Sequence, residues 1–447
     1  MSALPPASAL PGPSGPASSH PVRWWILLLL FLAMEINILD RQVLSLVAPV
    51  LRDEFQLSNT DYGRILFCFL LGMTLGQIPV GMMMDRLGPR AGFCVIFLGW
   101  SVANLLHGFA GTVVQFCILR LVLGLNECGA YSGGVKVIGQ WFRPEERAFA
   151  GGLFNSGSVL GAVLAPPLIV RLMAEFGWRG AFIIPSLVGL LWLIPWLKLY
   201  WEPARHPWLR PPATASDAST ATAAAETAPA EPAMPVAILA LLTLAPVWGV
   251  VLIRAFGGPV THFYWYWLPE YLKRERGMTL EAIGMFAWLP FLCGGLGNIG
   301  GGWLSSHLIR RGWTVNRARK TVFTLGGGLC VLAVTIPLMP GAGSAIAVIC
   351  LASLGINAIA ANLMGLLADL FPPAILARVS GMTGVGDGVV SMLMMLLAGI
   401  VIDRYSYTPV FIAVGLLPVL SLTALFVLVG PIRPIAVADL LVRTRRP

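Results

Sequence analysis

Charge is what this chain has least of. Asp, Glu, Lys and Arg make up 11% of its 447 residues, against about a quarter in soluble domains, while hydrophobic residues make up 57%. That balance excludes a water-soluble globule. Cysteines are few and badly spaced for chemistry: Cys68, Cys94, Cys117, Cys128, Cys293, Cys330 and Cys350 fall in or beside apolar runs without a CxxC pair. This argues against a disulfide framework and a zinc site and leaves them as packing residues. No nucleophile motif, metal-ligand set or phosphate-cradling glycine loop occurs in the required context, so the chain reads as a non-enzyme without a cofactor. Gly300-Gly301-Gly302 and Gly326-Gly327-Gly328 lie inside apolar runs and read as close helix packing. The formal charge of +9 comes from Lys and Arg scattered between apolar runs, not gathered on one face, which speaks against a nucleic-acid interface.

Apolar length is what the chain has in abundance. Runs long enough to cross about 30 Å of hydrocarbon recur from end to end, so the expected fold class is an all-α membrane protein. Twelve spans are expected near 23–51, 60–86, 91–110, 113–141, 147–174, 179–200, 236–272, 279–309, 319–339, 343–371, 374–403 and 408–430. Residues 1–21, rich in Pro, Ser and Ala and lacking a basic stretch ahead of a short apolar core, read as a disordered tail and not a cleaved signal. The Ala/Thr/Pro-rich stretch 202–235 is the one long polar interruption. It divides the chain into pseudo-symmetric six-helix bundles at 22–201 and 236–431, with a second tail at 432–447. With the N-terminus inside, the inner loops take most of the basic residues, among them Arg86, Arg90, Arg143, Arg147, Arg310, Arg311, Arg319 and Lys320. Both termini and the linker are therefore read as cytoplasmic, and a bacterial inner membrane is the expected location.

Polar residues inside such runs are costly: a charge at mid-bilayer costs about 2.5–3.5 kcal/mol on insertion scales and marks a site by default. The first run holds Ile36-Asn37-Ile38-Leu39-Asp40-Arg41-Gln42, with Asn37 and Arg41 one turn apart on one face and Asp40 one residue round from it. In span 4, Arg120, Gly124, Glu127 and Tyr131 follow at spacings of four, three and four, which puts them on one face, with Lys136 further on. Span 7 offers Arg254, Thr261 and His262, then Tyr264-Trp265-Tyr266-Trp267; spans 10 and 11 add Asn357, Asn362 and Asp387. Plainer readings stand beside these. Arg41 and Arg120 could simply neutralise Asp40 and Glu127, Lys136 could snorkel, and His262 reads slightly better as a packing residue. The four aromatics read better as an interfacial belt near the outer surface, Asp369 as a gate or cap residue, and Glu35 as facing a neighbouring helix.

The halves resemble each other. Gly81 to Arg90 after span 2 has a counterpart in Gly302 to Gly312 after span 8, and 171–182 parallels 403–411, as parallel repeats about a central site imply. The block Gly81-Met-Met-Met-Asp85-Arg86-Leu-Gly88-Pro-Arg90 resembles the loop signature of the major facilitator superfamily, in which Asp85 and Arg86 would help latch the cytoplasmic ends together. Asn37-Ile-Leu-Asp40-Arg41-Gln42, Gly124-Leu-Asn-Glu127, Lys136 with Trp141-Phe142, Phe154-Asn155-Ser156-Gly157-Ser158, and Gly301 to Ser306 through Val315 to Lys320 resemble the hexuronate-transporter branch of the anion:cation symporter family. That resemblance, over about 22–430, implies proton-coupled uptake of an organic or sugar-acid anion. It also implies that Asp40 and Glu127 handle the proton, and that Arg41 and Arg120 meet the substrate anion or hold those acids.

The pattern is not kept throughout. Ile38 replaces a tyrosine, Ile356-Asn357 a His-Gln, Ile359-Ala360 a Trp-Ser and Ala130 an asparagine, whereas Glu35 and Asp387 are acids where relatives are neutral. Hydroxyl-binding positions lost and acids gained favour a less hydroxylated carboxylate. Inside the spans four cations (Arg41, Arg120, Lys136, Arg254) face four acids (Glu35, Asp40, Glu127, Asp387), so the ionised cavity is neutral and attracts an anion only once Asp40 and Glu127 take protons. The expected partners are a small anion, protons and the lipid bilayer, and the expected working unit is a monomer. An exporter, antiporter or lipid transporter of the same fold, and a sensor that binds without turnover, remain the alternatives.

Overall fold

The computed structural model describes residues 20–203 and 241–435, so the N-terminal tail, nearly all of the linker, the start of span 7 and most of the C-terminal tail fall outside the described residues. The described elements are helices: α1 (Val22–Phe55), α2 (Asn59–His107), α3 (Val113–Glu127), α4 (Gly129–Trp141), α5 (Pro144–Leu199), α6 (Ala245–Arg274), α7 (Leu280–Phe286), α8 (Leu289–Arg310), α9 (Val315–Val331), α10 (Ala342–Leu370), α11 (Pro373–Arg404) and α12 (Thr408–Ala424). Side-chain oxygens start several of them. Ser58, Thr112, Thr279 and Thr314 each accept the amide three residues on, which satisfies a donor the helix leaves open.

Nine helical runs among the described residues are long and apolar enough to cross a bilayer; α3 with α4, and α7 with α8, each form one. Two of the nine are double. α2 and α5 each hold two helices joined at a glycine in the left-handed region, Gly88 (φ 75°) and Gly177 (φ 70°). A side chain is strained in that region, so glycine is what permits the joint. The 30-residue helix α6, whose Arg254, Thr261, His262 and Glu270 make it less apolar, adds one more segment. Counted this way the described helices form twelve segments, with ends close to those expected from the sequence.

Within the halves, α2 packs on α3, α1 on α5, and α8 on α10; between the halves, α2 packs on α11 and α1 on α6. Glycine sets the closest approaches. A Cβ at Gly72 would lie 2.2 Å from the Leu121 carbonyl oxygen, and one at Gly124 would lie 2.3 Å from the Phe69 carbonyl oxygen. Backbone cannot yield as a side chain can, so Gly124→Ala is expected to destabilise the protein by about 1–3 kcal/mol, read as a lower melting temperature in detergent. An unchanged melting temperature would mean that α2 and α3 can part without cost.

The two halves are tied together at the end opposite the linker. Arg52 pairs with Glu270, Asp53 with Lys273 and Arg274, and Asp403 accepts from the Asn59 and Thr60 amides. The cleft described next lies between these ties and the linker end.

Candidate functional site

The polar edge of α1 meets the end of α3. Arg41 Nε donates to Glu127 Oε2 at 3.1 Å, and Arg41 Nη2 donates to Asn37 Oδ1 at 3.1 Å. Asn37 Nδ2 reaches the Glu127 carbonyl oxygen at 3.4 Å, so the asparagine orients both partners. The guanidinium lies over Phe69 at 5.5 Å and, across the boundary between the halves, over Trp265 at 5.9 Å. Asp40 points elsewhere. It is fully buried and accepts from Asn104 Nδ2 at 2.9 Å. Arg120 is equally buried, 5.7 Å from the Phe69 ring and within electrostatic reach of Asp40 and Glu127. Two guanidiniums and two carboxylates thus share one low-dielectric cluster, neutral when ionised. Removing one charge leaves another uncompensated where attraction is strongest.

A second cluster faces it from the other half. Arg254 Nε donates to Asp387 Oδ2 at 3.3 Å, Ser391 Oγ donates to Asp387 Oδ1 at 2.9 Å, and His262 Nδ1 lies 2.9 Å from the Gly258 carbonyl oxygen. The Asp387 carboxylate rests on Gly258, where a Cβ would fall 1.7 Å from its Oδ1, so only glycine leaves it room. Arg254, His262 and Asp387 line a pocket of about 610 Å³ that shares Thr261, Ile356 and Asn357 with a neighbouring pocket of about 680 Å³. The second pocket is walled by Asn155, Ser158, Trp265 and Asn298. Together they form one continuous cleft reaching from the first half to the second. Its polar groups converge on an otherwise apolar lining, the usual form of a small-molecule site.

The expected site residues divide accordingly. Asn37, Arg41 and Glu127 stand together, Arg254, His262 and Asp387 stand together, and Thr261 and Asn357 line both pockets. None of Asn37, Asp40, Arg41, Arg120 and Glu127 lines either pocket, but Arg41 reaches Trp265 at the cleft wall whereas Asp40 and Arg120 are fully buried behind it, which favours the reading that Arg120 holds the acids. Tyr131 is not brought in: it lines neither pocket and is 58% exposed, with its ring 6.0 Å from Phe154. Asn362 is not in the cleft either. It is fully buried, donating to the Gly301 and Ala358 carbonyl oxygens and accepting from Arg319, which also pairs with Asp369.

Lys136 leaves the cavity count, since it pairs with Asp85 at 2.9 Å and donates to the Met84 carbonyl oxygen. Glu35 has no ion pair among the described residues, and its backbone packs on Gly161. The paired site therefore holds three arginines against three acids and is still neutral. In the loop motif, Gly88 forms the joint in α2, Arg90 donates to the Leu197 carbonyl oxygen at 2.6 Å, and Arg86 is exposed. A Cβ at Gly81 would meet no neighbour, and Asp85 and Arg86 make no hydrogen bond or ion pair to the other half among the described residues.

The aromatic stretch corrects the sequence reading. Tyr264, Tyr266 and Trp267 are buried and Trp265 walls the cleft, so they are internal and not an interfacial belt. Sequence reasoning assigned no role to Asn104, Asn155, Ser158 and Asn298; Asn155 and Ser158 lie in the block that resembles the symporter family, and Asn104 and Asn298 carry only the signal of a polar side chain inside an apolar run.

The chain matches the model of the Major Facilitator Superfamily over residues 30–316 and 308–440. It is 28% identical over 405 residues to the hexuronate transporter of Escherichia coli (strain K12), covering 90% of this chain and 92% of that one. To the probable galactarate/D-glucarate transporter of Bacillus subtilis (strain 168) it is 27% identical over 432 residues, covering 94% of each. The fold matches the crystal structure of a D-xylose–proton symporter with a TM-score of 0.69 at 17% identity, covering 92% of this chain and 98% of that one. With its helices, its two halves and a cleft between them, this multi-pass membrane protein belongs to the Major Facilitator Superfamily of transporters and is not an enzyme.

Proposed function

We propose that the chain is a symporter that couples inward proton movement to uptake of an organic or sugar-acid anion by alternating access. It would work as a monomer in a bacterial inner membrane, with the basic linker end in the cytoplasm. The observation that carries this reading is the Arg41–Glu127 pair beside the cleft, its guanidinium over the Trp265 ring that walls it, backed by Asp40 and Arg120 in the same buried cluster. With Glu127 ionised, the guanidinium is already satisfied and a substrate carboxylate gains little. With Glu127 protonated, Arg41 keeps its charge, and a carboxylate can replace the lost partner through a charge-assisted hydrogen bond. Proton and anion therefore each raise the other's affinity by the same factor. Relatives named for hexuronate and for galactarate/D-glucarate support a sugar-acid substrate.

The test is uptake of labelled D-glucuronate, D-galactarate and D-galactonate into proteoliposomes with and without an inward proton gradient. Accumulation of one of these that requires the gradient is expected. Efflux only, or binding without accumulation, would refute the reading.

A further inference from the structure

Arg254 and Asp387 repeat in the second half what Arg41 and Glu127 form in the first. Each arginine holds its carboxylate through Nε, at 3.3 Å and 3.1 Å. Each also keeps free nitrogens: both Nη atoms of Arg254 and Nη1 of Arg41 have no protein partner among the described residues. His262 lies within electrostatic reach of both guanidiniums, so the two pairs bracket one short stretch of α6, with Arg254 and Asp387 lining the cleft and Arg41 lying over Trp265 at its wall. The groups facing Asp387 are few. α6 presents Arg254 and His262, Ser391 comes from its own helix, Asn357 lies across the pocket on α10, and α2 presents only uncharged Thr74 and Gln77 against Gly388 and Gly384.

Arg254 is then the one permanent cation at this wall, and Asp387 cancels it. A second anionic group of a substrate would be attracted only after Asp387 has been neutralised, the same condition that Glu127 sets for the first. Two such latches, one on each half, are more than a single carboxylate needs. A molecule gripped at both ends also draws the halves together, which a molecule held at one end does not.

Building on the symport reading above, we propose that Asp387 is a second proton-coupling acid and that Arg254, released by its protonation, binds a second anionic group of a dianionic substrate. In each cycle Asp387 would take a proton on the outer side and give it up to the cytoplasm when the substrate leaves, while Glu127 does the same for the other end. The proton count then matches the charge count, and a dianion crosses with one proton for each negative group.

The experiment is uptake into proteoliposomes of D-glucarate and D-glucuronate, which differ in having two carboxylates or one, with the proton-to-substrate ratio read from the gradient that just balances accumulation. Wild type is expected to prefer D-glucarate and to carry two protons with it. Asp387→Asn, a near-isosteric change that Gly258 still accommodates, is expected to lower that ratio to one while transport continues. Arg254→Gln is expected to reduce the preference for D-glucarate over D-glucuronate by about ten- to a hundredfold, the worth of one hydrogen bond to a charged group. A merely structural counter-ion would slow transport without changing the ratio, so an unchanged ratio in Asp387→Asn overturns the proposal. So does wild-type symport of D-glucuronate with one proton and no preference for the dianion, a result that would leave the symport reading standing. Failure of wild type to take up either anion removes both.

Discussion

Glu127→Gln is expected to abolish accumulation of the monocarboxylate D-glucuronate driven by a proton gradient while leaving exchange of labelled for unlabelled D-glucuronate intact. The side chain keeps its shape and an oxygen that can accept from Arg41 Nε, the contact seen at 3.1 Å, but it loses its charge and its proton. Arg41 would then be available to an anion at every pH, so binding becomes insensitive to pH and stays strong in alkaline medium, where the wild type weakens. A gradient of two pH units supplies about 2.7 kcal/mol per coupled proton, or about a hundredfold accumulation. The variant should lose that factor entirely and equilibrate its substrate. Asp40 is fully buried and accepts from Asn104 instead of pairing with Arg41, so its protonation releases no guanidinium. Asp40→Asn should therefore slow the cycle without freeing Arg41. Measured side by side, uptake and exchange separate the two acids. Gradient-driven accumulation of D-glucuronate that survives Glu127→Gln would remove Glu127 from coupling.

The spans and the first half of the site could be read in the sequence because the signals there are local. An apolar run of bilayer length needs no knowledge of its neighbours, and Asp40-Arg41 inside such a run is costly wherever it lands. Which neighbour each polar residue meets is not local. A helical wheel places Asn37, Asp40 and Arg41 on adjoining faces, but only packing sends Asp40 to Asn104 on α2 and Arg41 to Glu127 on α3. Tyr131 is a further case, since a helical wheel cannot tell that its ring lies 6.0 Å from Phe154 on α5 and lines neither pocket. The Tyr264 to Trp267 stretch has the composition of an interfacial belt, and nothing in its order tells that the first half covers it. In the structure Tyr62 donates to the Tyr266 carbonyl oxygen at 2.7 Å and packs its ring 5.0 Å from Trp267.

Glu270→Gln is expected to open the end of the protein opposite the linker. Glu270 has no solvent exposure and is paired with Arg52 from the first half and with Arg274 of its own helix at 2.6 Å. Arg52 is held in turn by Asn59 Oδ1 at 2.6 Å and the Leu57 carbonyl oxygen at 3.1 Å, so it cannot follow a departing partner without losing both. Removing one member of a buried pair costs about 3–5 kcal/mol, because the other charge is left dry and uncompensated. That cost falls only on the conformation in which this end is closed; once the halves part, Arg52 reaches water. A shift from 99:1 to 1:99 needs about 5.5 kcal/mol, so the substitution supplies most of a full reversal. The neighbouring Asp53 pairs with Lys273 and Arg274 are exposed and span the same boundary, yet exposed pairs contribute only about 0.2–1 kcal/mol. Asp53→Asn should therefore scarcely move the equilibrium. Spin labels at Gln56→Cys and Glu275→Cys, in a background without the native cysteines, report the distance between the halves at this end. Glu270→Gln should move that distribution to longer distances and Asp53→Asn should leave it in place. Equal behaviour of the two variants would mean that exposed and buried pairs hold this end alike, and that burial of Glu270 is not what keeps it shut.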